Sequence, residues 1–293
     1  MSTQKNKIKI KDPRLARRKN ESIYAEALIC KLLGWKIEFL SGGYESFSVD
    51  ELVNLAKNIK KITGEKQWLN IGTLSFAELK RFKPHIEGFS GPVECISPKI
   101  QKKVCPSKPI RDIERDLDYC KKLRLKRSIT IIIGLGETEK EISLLIKFIK
   151  KHGLDRITFY ALNPHKGAYF KKGPKTEYYV KWIKAVRQNF PKITLIAGSW
   201  TNRLKEIHLL LQAGADHITK FKSIKLFNSS YAKQIEKEVA SAGRKFEGSL
   251  TKLPKVNWNK EVDKLTFFDS PTREKIKKKV RQYIGKMKRG KAL

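Results

Sequence analysis

Short β-branched runs alternate with amphipathic stretches along most of this chain, and that alternation constrains its fold more than any other feature. The strand candidates are Lys36–Leu40 (KIEFL), Gln67–Ile71 (QWLNI), Pro92–Ile96 (PVECI), Ser128–Ile133 (SITIII), Arg156–Ala161 (RITFYA), Lys192–Ala197 (KITLIA) and His217–Lys220 (HITK). Between them, helical periodicity covers Val49–Lys61, Phe76–Phe82, Ile110–Lys122, Glu139–His152, Glu177–Asn189, Arg203–Ala213 and Ser230–Ala242. Ser48 with Glu51 and Thr138 with Glu141 read as capping boxes, and Gly64, Gly153 and Gly214 sit where helices should end. Strand and helix in strict turn mean repeated βαβ units and a parallel sheet. Seven units in one run favour an α/β barrel or partial barrel over an open doubly wound sheet.

The beginning is irregular. The first clear element is a helix, Glu21–Leu33, preceded only by the polar, basic residues 1–20. Either the barrel opens with a helix or its first strand is missing from this chain. After residue 221 the pattern loosens. Gly243–Pro254 reads as a loop or short hairpin, Leu265–Phe268 as a last strand and Thr272–Lys288 as a basic helix. The division expected is therefore a basic segment 1–20, a βα barrel 21–221 and a C-terminal extension 222–293 without a core of its own.

At 293 residues and 40% hydrophobic content the chain is long and apolar enough to bury a core. No apolar run is long enough to span a membrane, and MSTQKNKIKIKDP has no apolar core of a secretory signal. A cytoplasmic, reducing compartment follows. The formal net charge is +35, a field that attracts tRNA, rRNA or acidic protein partners. Much of it is lysine scattered through every helix, which reads as a solvated face. The tail is more concentrated: Pro271–Leu293 holds ten basic residues against the single Glu274.

In parallel α/β barrels, functional residues gather where strands end. KIEFL is followed by Ser41-Gly42-Gly43-Tyr44, whose two glycines let a ligand approach the backbone. PVECI carries Glu94 and Cys95 in alternation, so only one of them can face the barrel interior. SITIII, ending at Ile133, runs into Gly134-Leu135-Gly136-Glu137-Thr138, a turn whose free N–H groups could bind an anion or pack on a flat ring. It is neither a Rossmann fingerprint nor a P-loop, lacking the third glycine of one and the GK[ST] of the other. RITFYA is followed by Leu162-Asn163-Pro164-His165, where Asn163 could hydrogen-bond a ligand.

The order SGGY, GLGETEKEI, ALNPHKGAYF in successive strands resembles the radical S-adenosylmethionine (SAM) superfamily, in the branch of biotin and lipoyl synthases. The resemblance covers roughly residues 21–221. It implies a TIM-like (βα) core binding SAM and a [4Fe–4S] cluster. Gly42 and Gly43 match the glycine motif that holds the methionine amino group, and Tyr44 stands where that motif often carries an acid. Glu94 matches a polar position that holds the ribose or carboxylate. Ile133, Gly134 and Gly136 match the stretch that packs on adenine, and Asn163 matches a further polar contact.

The family's CxxxCxxC, three thiolates on three irons, has no counterpart here. Counting back from Gly42 by the family's usual spacing lands at or before Met1, which agrees with a missing first strand. The expectation is a chain that begins just after the cluster loop. Of the four cysteines, Cys30 and Cys120 lie on helices, while Cys95 and Cys105 are close enough in sequence to meet at the barrel mouth. A cubane cluster from these alone is not expected; an auxiliary-cluster or sulfur-handling role for Cys95 and Cys105 stays open.

Three functions follow from the resemblance. One is an enzyme similar to the sulfur-inserting lipoyl and biotin synthases, acting on an unactivated C–H bond, with one subunit of a two-component lipoyl synthase as a case of it. Its partner would be a second radical SAM subunit or an acidic carrier domain. The second is a tRNA-modifying radical SAM enzyme. The third is a non-catalytic barrel paralogue or partner-binding subunit.

Overall fold

A computed structural model describes residues 17–42, 46–165, 167 and 169–289. Its centre is one sheet of seven strands in sequential order: β1 (Leu40–Ser41), β2 (Gln67–Asn70), β3 (Ile86–Glu94), β4 (Lys126–Ile133), β5 (Arg156–Ala161), β6 (Thr194–Gly198) and β7 (His217–Thr219). Every neighbouring pair is parallel. The sheet curls into a half-barrel of the TIM-like kind expected of a radical SAM core, and β1 and β7 remain its two outer strands.

Helices α1 (Asn20–Leu32), α2 (Val49–Thr63), α3 (Phe76–Phe82), α4 (Pro98–Val104), α5 (Ile110–Lys122), α6 (Glu141–His152), α7 (Thr176–Asn189) and α8 (Ile207–Gln212) accompany the strands. Alternate strand residues such as Ile129, Ile131, Ile133, Ile157, Phe159 and Ala161 meet the buried faces of these helices. Ser48 caps α2 through a reciprocal box with Glu51. At α6 the box is half made: Glu141 accepts from the Thr138 N–H at 2.8 Å, but the helix begins too late for the return bond.

Helices α9 (Ser230–Ser241), α10 (Trp258–Asp263) and α11 (Ser270–Lys288) close one side. Helix α11 lies on α1, with Ser22 and Tyr283 hydroxyls 2.6 Å apart. Val262, Leu265, Phe268, Ile276, Val280 and Ile284 belong to the same core as the barrel.

Two expectations about strands are corrected. Leu265–Phe268 is a turn between α10 and α11, its apolar side chains serving the core rather than a ladder. Strand β3 starts at Ile86, well before Pro92, because Gly88 and Gly91 are not turn residues. A Cβ on Gly88 would lie 2.2 Å from the Lys126 carbonyl oxygen, and one on Gly91 would lie 2.3 Å from Ile113 Cγ2. These glycines permit close packing inside a strand. Among the described residues no helix is long and apolar enough to cross a membrane.

Candidate functional site

Because all strands are parallel, the segments after β1, β3, β4 and β5 emerge at one rim. Gly42 follows β1 and extends its ladder, its N–H donating to the Asn70 carbonyl at 3.3 Å. Glu94 ends β3, Gly134 and Gly136 follow β4, and Asn163 follows β5. Gly43 and Tyr44 lie outside the described residues.

The turn after β4 is internally closed. The Glu137 carboxyl accepts from the Gly134 N–H at 2.6 Å and from the Leu135 N–H at 2.8 Å. Those donors are therefore not free for an anion, contrary to the sequence expectation. A Cβ on Gly134 would meet Pro174 Cδ at 2.9 Å, so that glycine serves packing. Gly136 has φ near +104° and open space where a side chain would be, which leaves a shelf at the rim. Ile133 is wholly buried in the helix-facing core. Its carbonyl accepts from the Leu162 N–H at 2.8 Å. Asn163 is exposed and accepts from Asn202 Nδ2 at 3.3 Å.

Two charged residues stand at the mouth with positive φ: Glu94 at 64° and Lys220, just after β7, at 72°. Non-glycine residues rarely hold that backbone region unless the surroundings demand it. Glu94 sits where the β3–β4 register slips, and this slip settles the alternation: its side chain reaches Lys108 Nζ at 3.7 Å while Cys95 is buried. Burial pushes the Glu94 carboxyl above its ordinary range, and the positive charges of Lys108 and Lys220 partly offset this. Lys220 Nζ lies 4.1 Å from the Tyr160 ring centre and 5.6 Å from that of Trp200.

Beneath the rim the lumen is polar, which the sequence reading did not anticipate. Ser90, Ser128, Arg156 and Thr194 share one register layer, and Ile132, Tyr160, Gly198 and Thr219 share another. Glu38 crosses from the segment before β1. Its carboxyl accepts from the Tyr160 hydroxyl at 2.6 Å and the Thr219 hydroxyl at 2.5 Å, and its carbonyl accepts from Arg156 Nη1 at 2.8 Å. A legible signal existed: in RITFYA the polar residues Arg156, Thr158 and Tyr160 all fall on one face, opposite Ile157 and Phe159. In KIEFL, the charged Glu38 interrupts an apolar run. A cavity of about 1300 Å³ reaches this lumen between the outer strands, lined by Glu38, Trp68, Arg156, Ile196, Thr219 and Lys220 among others.

The cysteines do not fit an iron–sulfur cluster. No three His, Cys, Asp or Glu side chains gather as a metal site among the described residues. Burial pushes Cys30 and Cys120 up to about 12 and Cys95 up to about 11, and it raises Cys105 as well.

No family model matches the chain. It is 38% identical, over 99% of its own length and 84% of the relative's, to uncharacterized protein MJ0597 of Methanocaldococcus jannaschii. The chain belongs to that protein's family. Uncharacterized protein MJ0785 of the same organism is 25% identical over 57% of this chain and 46% of its own length. Among solved structures, methylornithine synthase (PylB) superposes with a TM-score of 0.63 at 15% identity, over 77% of this chain and 72% of its own. The HMG-CoA lyase of Brucella melitensis gives 0.59 at 9% identity, over 98% and 96%. These two likenesses establish the fold, and the different enzymes that share it show that the fold alone does not choose a reaction.

Proposed function

We propose that this chain is a radical SAM-type protein that binds SAM at the rim of the half-barrel and holds the molecule it acts on in the polar lumen below. The observation that carries this reading is the pair Glu94 and Lys220. Opposite charges on two strained backbones face one mouth. An α-amino acid presents an ammonium and a carboxylate from a single carbon, and the methionyl end of SAM does the same. Glu94 would take the ammonium, exchanging its long contact with Lys108 for a charge-assisted hydrogen bond. Lys220, resting on aromatic faces, would take the carboxylate. The shelf at Gly136 leaves space for the adenosyl part, with Asn163 at its edge. Gly42, Gly43 and Tyr44 enter the reading by the motif likeness, which gives the amino group to the glycine backbone and the ribose or carboxylate to Glu94; the negative charge of Glu94 is the reason for giving it the ammonium instead. Bound SAM supplies an activated carbon on sulfonium. The described residues offer no cluster site, so the chain's own part is to bind and orient.

Reaction at an unactivated C–H bond, with sulfur insertion as its sub-class and a second subunit or acidic carrier as partner, rests on the motif likeness to biotin and lipoyl synthases. Calorimetric titration with SAM tests the binding. Saturable binding weakened about 10-fold or more in Glu94→Gln is expected, since a hydrogen bond to a charged group contributes about 1.5–3 kcal/mol. Equal binding by both proteins would refute the assignment.

A second reading, tRNA as substrate, is favoured by helix α11. Lys275, Lys278, Arg281, Lys286, Lys288 and Arg289 are all exposed on it. Binding of tRNA that weakens steeply between low and high salt would support this reading, and salt-independent or absent binding would remove it.

A further inference from the structure

We propose that Arg156 makes the lumen a carboxylate-binding chamber, taking the acid group of a small organic acid with an apolar body. The inference rests on the reading above only in making that acid the molecule acted on.

Arg156 opens β5 and is 4% exposed. Its guanidinium lies 3.9 Å from the Trp68 ring centre. Nη1 donates to the Glu38 carbonyl, and Nε donates to Ser128 Oγ at 3.3 Å. Nη2 is buried with no partner. Arg156 forms no ion pair among the described residues, because the nearby Glu38 carboxyl is already held by Tyr160 and Thr219. One rung along the same face, the wholly buried Thr158 hydroxyl also lacks a partner. A buried guanidinium with no carboxylate bonded to it is costly, and the nearby Glu38 charge and stacking on an indole offset only part of that cost. Nη2, on a residue that lines the cavity, therefore points to a ligand that brings an acceptor.

Donor number chooses the class. The one guanidinium nitrogen left for a ligand suits an oxygen of a singly charged carboxylate, whereas a phosphate would bring about two charges and three oxygens to it. The cavity wall chooses the rest of the ligand. Trp35, Ile196, Ile218, Phe221, Ile235 and Leu250 line the same space as Arg156. An apolar body packed there would shield the acid group from water, and the bond to Nη2 would form at low dielectric.

The test is calorimetric titration of the full chain, without SAM, using hexanoate, hexanamide and inorganic phosphate. Hexanoate should bind about 10-fold or more tightly than hexanamide, as expected for a hydrogen bond to a charged group, and phosphate should not displace it. Arg156→Met should lose that preference while still showing a cooperative melting transition. If that variant does not fold, Arg156→Lys, which keeps the charge but lacks the planar fork, should bind hexanoate more weakly than the parent. Equal binding of hexanoate and hexanamide, displacement by phosphate, or an undiminished preference in a folded Arg156 variant would overturn the proposal. Loss of SAM binding with hexanoate binding intact would fault the rim reading alone, and the converse would fault this one alone.

Discussion

Glu38 is the residue whose removal should be felt most widely. It sits ahead of β1, one outer strand, and its carboxyl holds Tyr160 on β5 and Thr219 on β7, the other outer strand. These outer strands are not paired with each other, so Glu38 ties across a gap that no ladder closes. Truncation to alanine removes two hydrogen bonds at 2.6 and 2.5 Å. It leaves the bond from Arg156, which goes to the backbone carbonyl, in place. Hydrogen bonds to a charged acceptor contribute about 1.5–3 kcal/mol each. Thr219 is only half-buried and regains water, while Tyr160 is nearly buried and does not. The lower end of the range is therefore appropriate, and Glu38→Ala should cost about 3 kcal/mol. Urea denaturation reads this directly, with the midpoint lowered and the slope unchanged. Tyr160→Phe and the double variant complete a cycle whose coupling should be about 1.5 kcal/mol or more. A Glu38→Ala loss under about 0.5 kcal/mol, or a coupling near zero, would refute the claim that this residue holds the lumen together.

Three further outcomes follow. The Glu94 carboxyl is raised by burial, so its contribution to stability is full at acidic pH and is lost as pH rises through its folded value. Glu94→Gln should thus gain on the parent from acidic to neutral pH in melting curves, and a constant difference would contradict the assigned cause. Gly91→Ala should overpack against Ile113 and cost about 1–3 kcal/mol, a loss relieved in combination with Ile113→Ala; strictly additive losses would show that the contact does not limit. Thiol labelling of the folded protein near pH 8 should modify Cys105 before Cys95 and Cys120, whose thiols burial holds near 11 and 12; rapid modification of Cys120 would show that the core opens there.

The sequence made the architecture legible because each strand and helix carries its own period. Helices α3 and α5 match their expected spans, and all seven strands are present. What escaped depends on contacts distant in sequence. Strand β3 was expected only from Pro92; Gly88 and Gly91 lie inside it, crowded by Trp68, Lys126 and Ile113, contacts distant in sequence. Strand β1 shrank to Leu40–Ser41 because the residues before it enter no ladder, and Glu38 turns into the lumen instead. The GLGET turn was expected to expose N–H groups, but Glu137, two or three residues on, satisfies them locally. At the site, strand-end reasoning located the rim, yet Lys220 passed unnoticed because nothing in HITK announces a positive φ. Arg156 passed unnoticed because an arginine opening a strand usually snorkels to water. The alternation in RITFYA puts it on the polar face, and the register shows that this face is the lumen.

The central claim is that SAM is held at the mouth between Glu94 and Lys220. A crystal structure of the chain grown with SAM tests it most directly. The account predicts the α-amino group within about 3.2 Å of the Glu94 carboxyl, the carboxylate toward Lys220 and the adenosyl group over Gly136. SAM bound elsewhere on the molecule, or at the mouth with neither charge engaged, would contradict it.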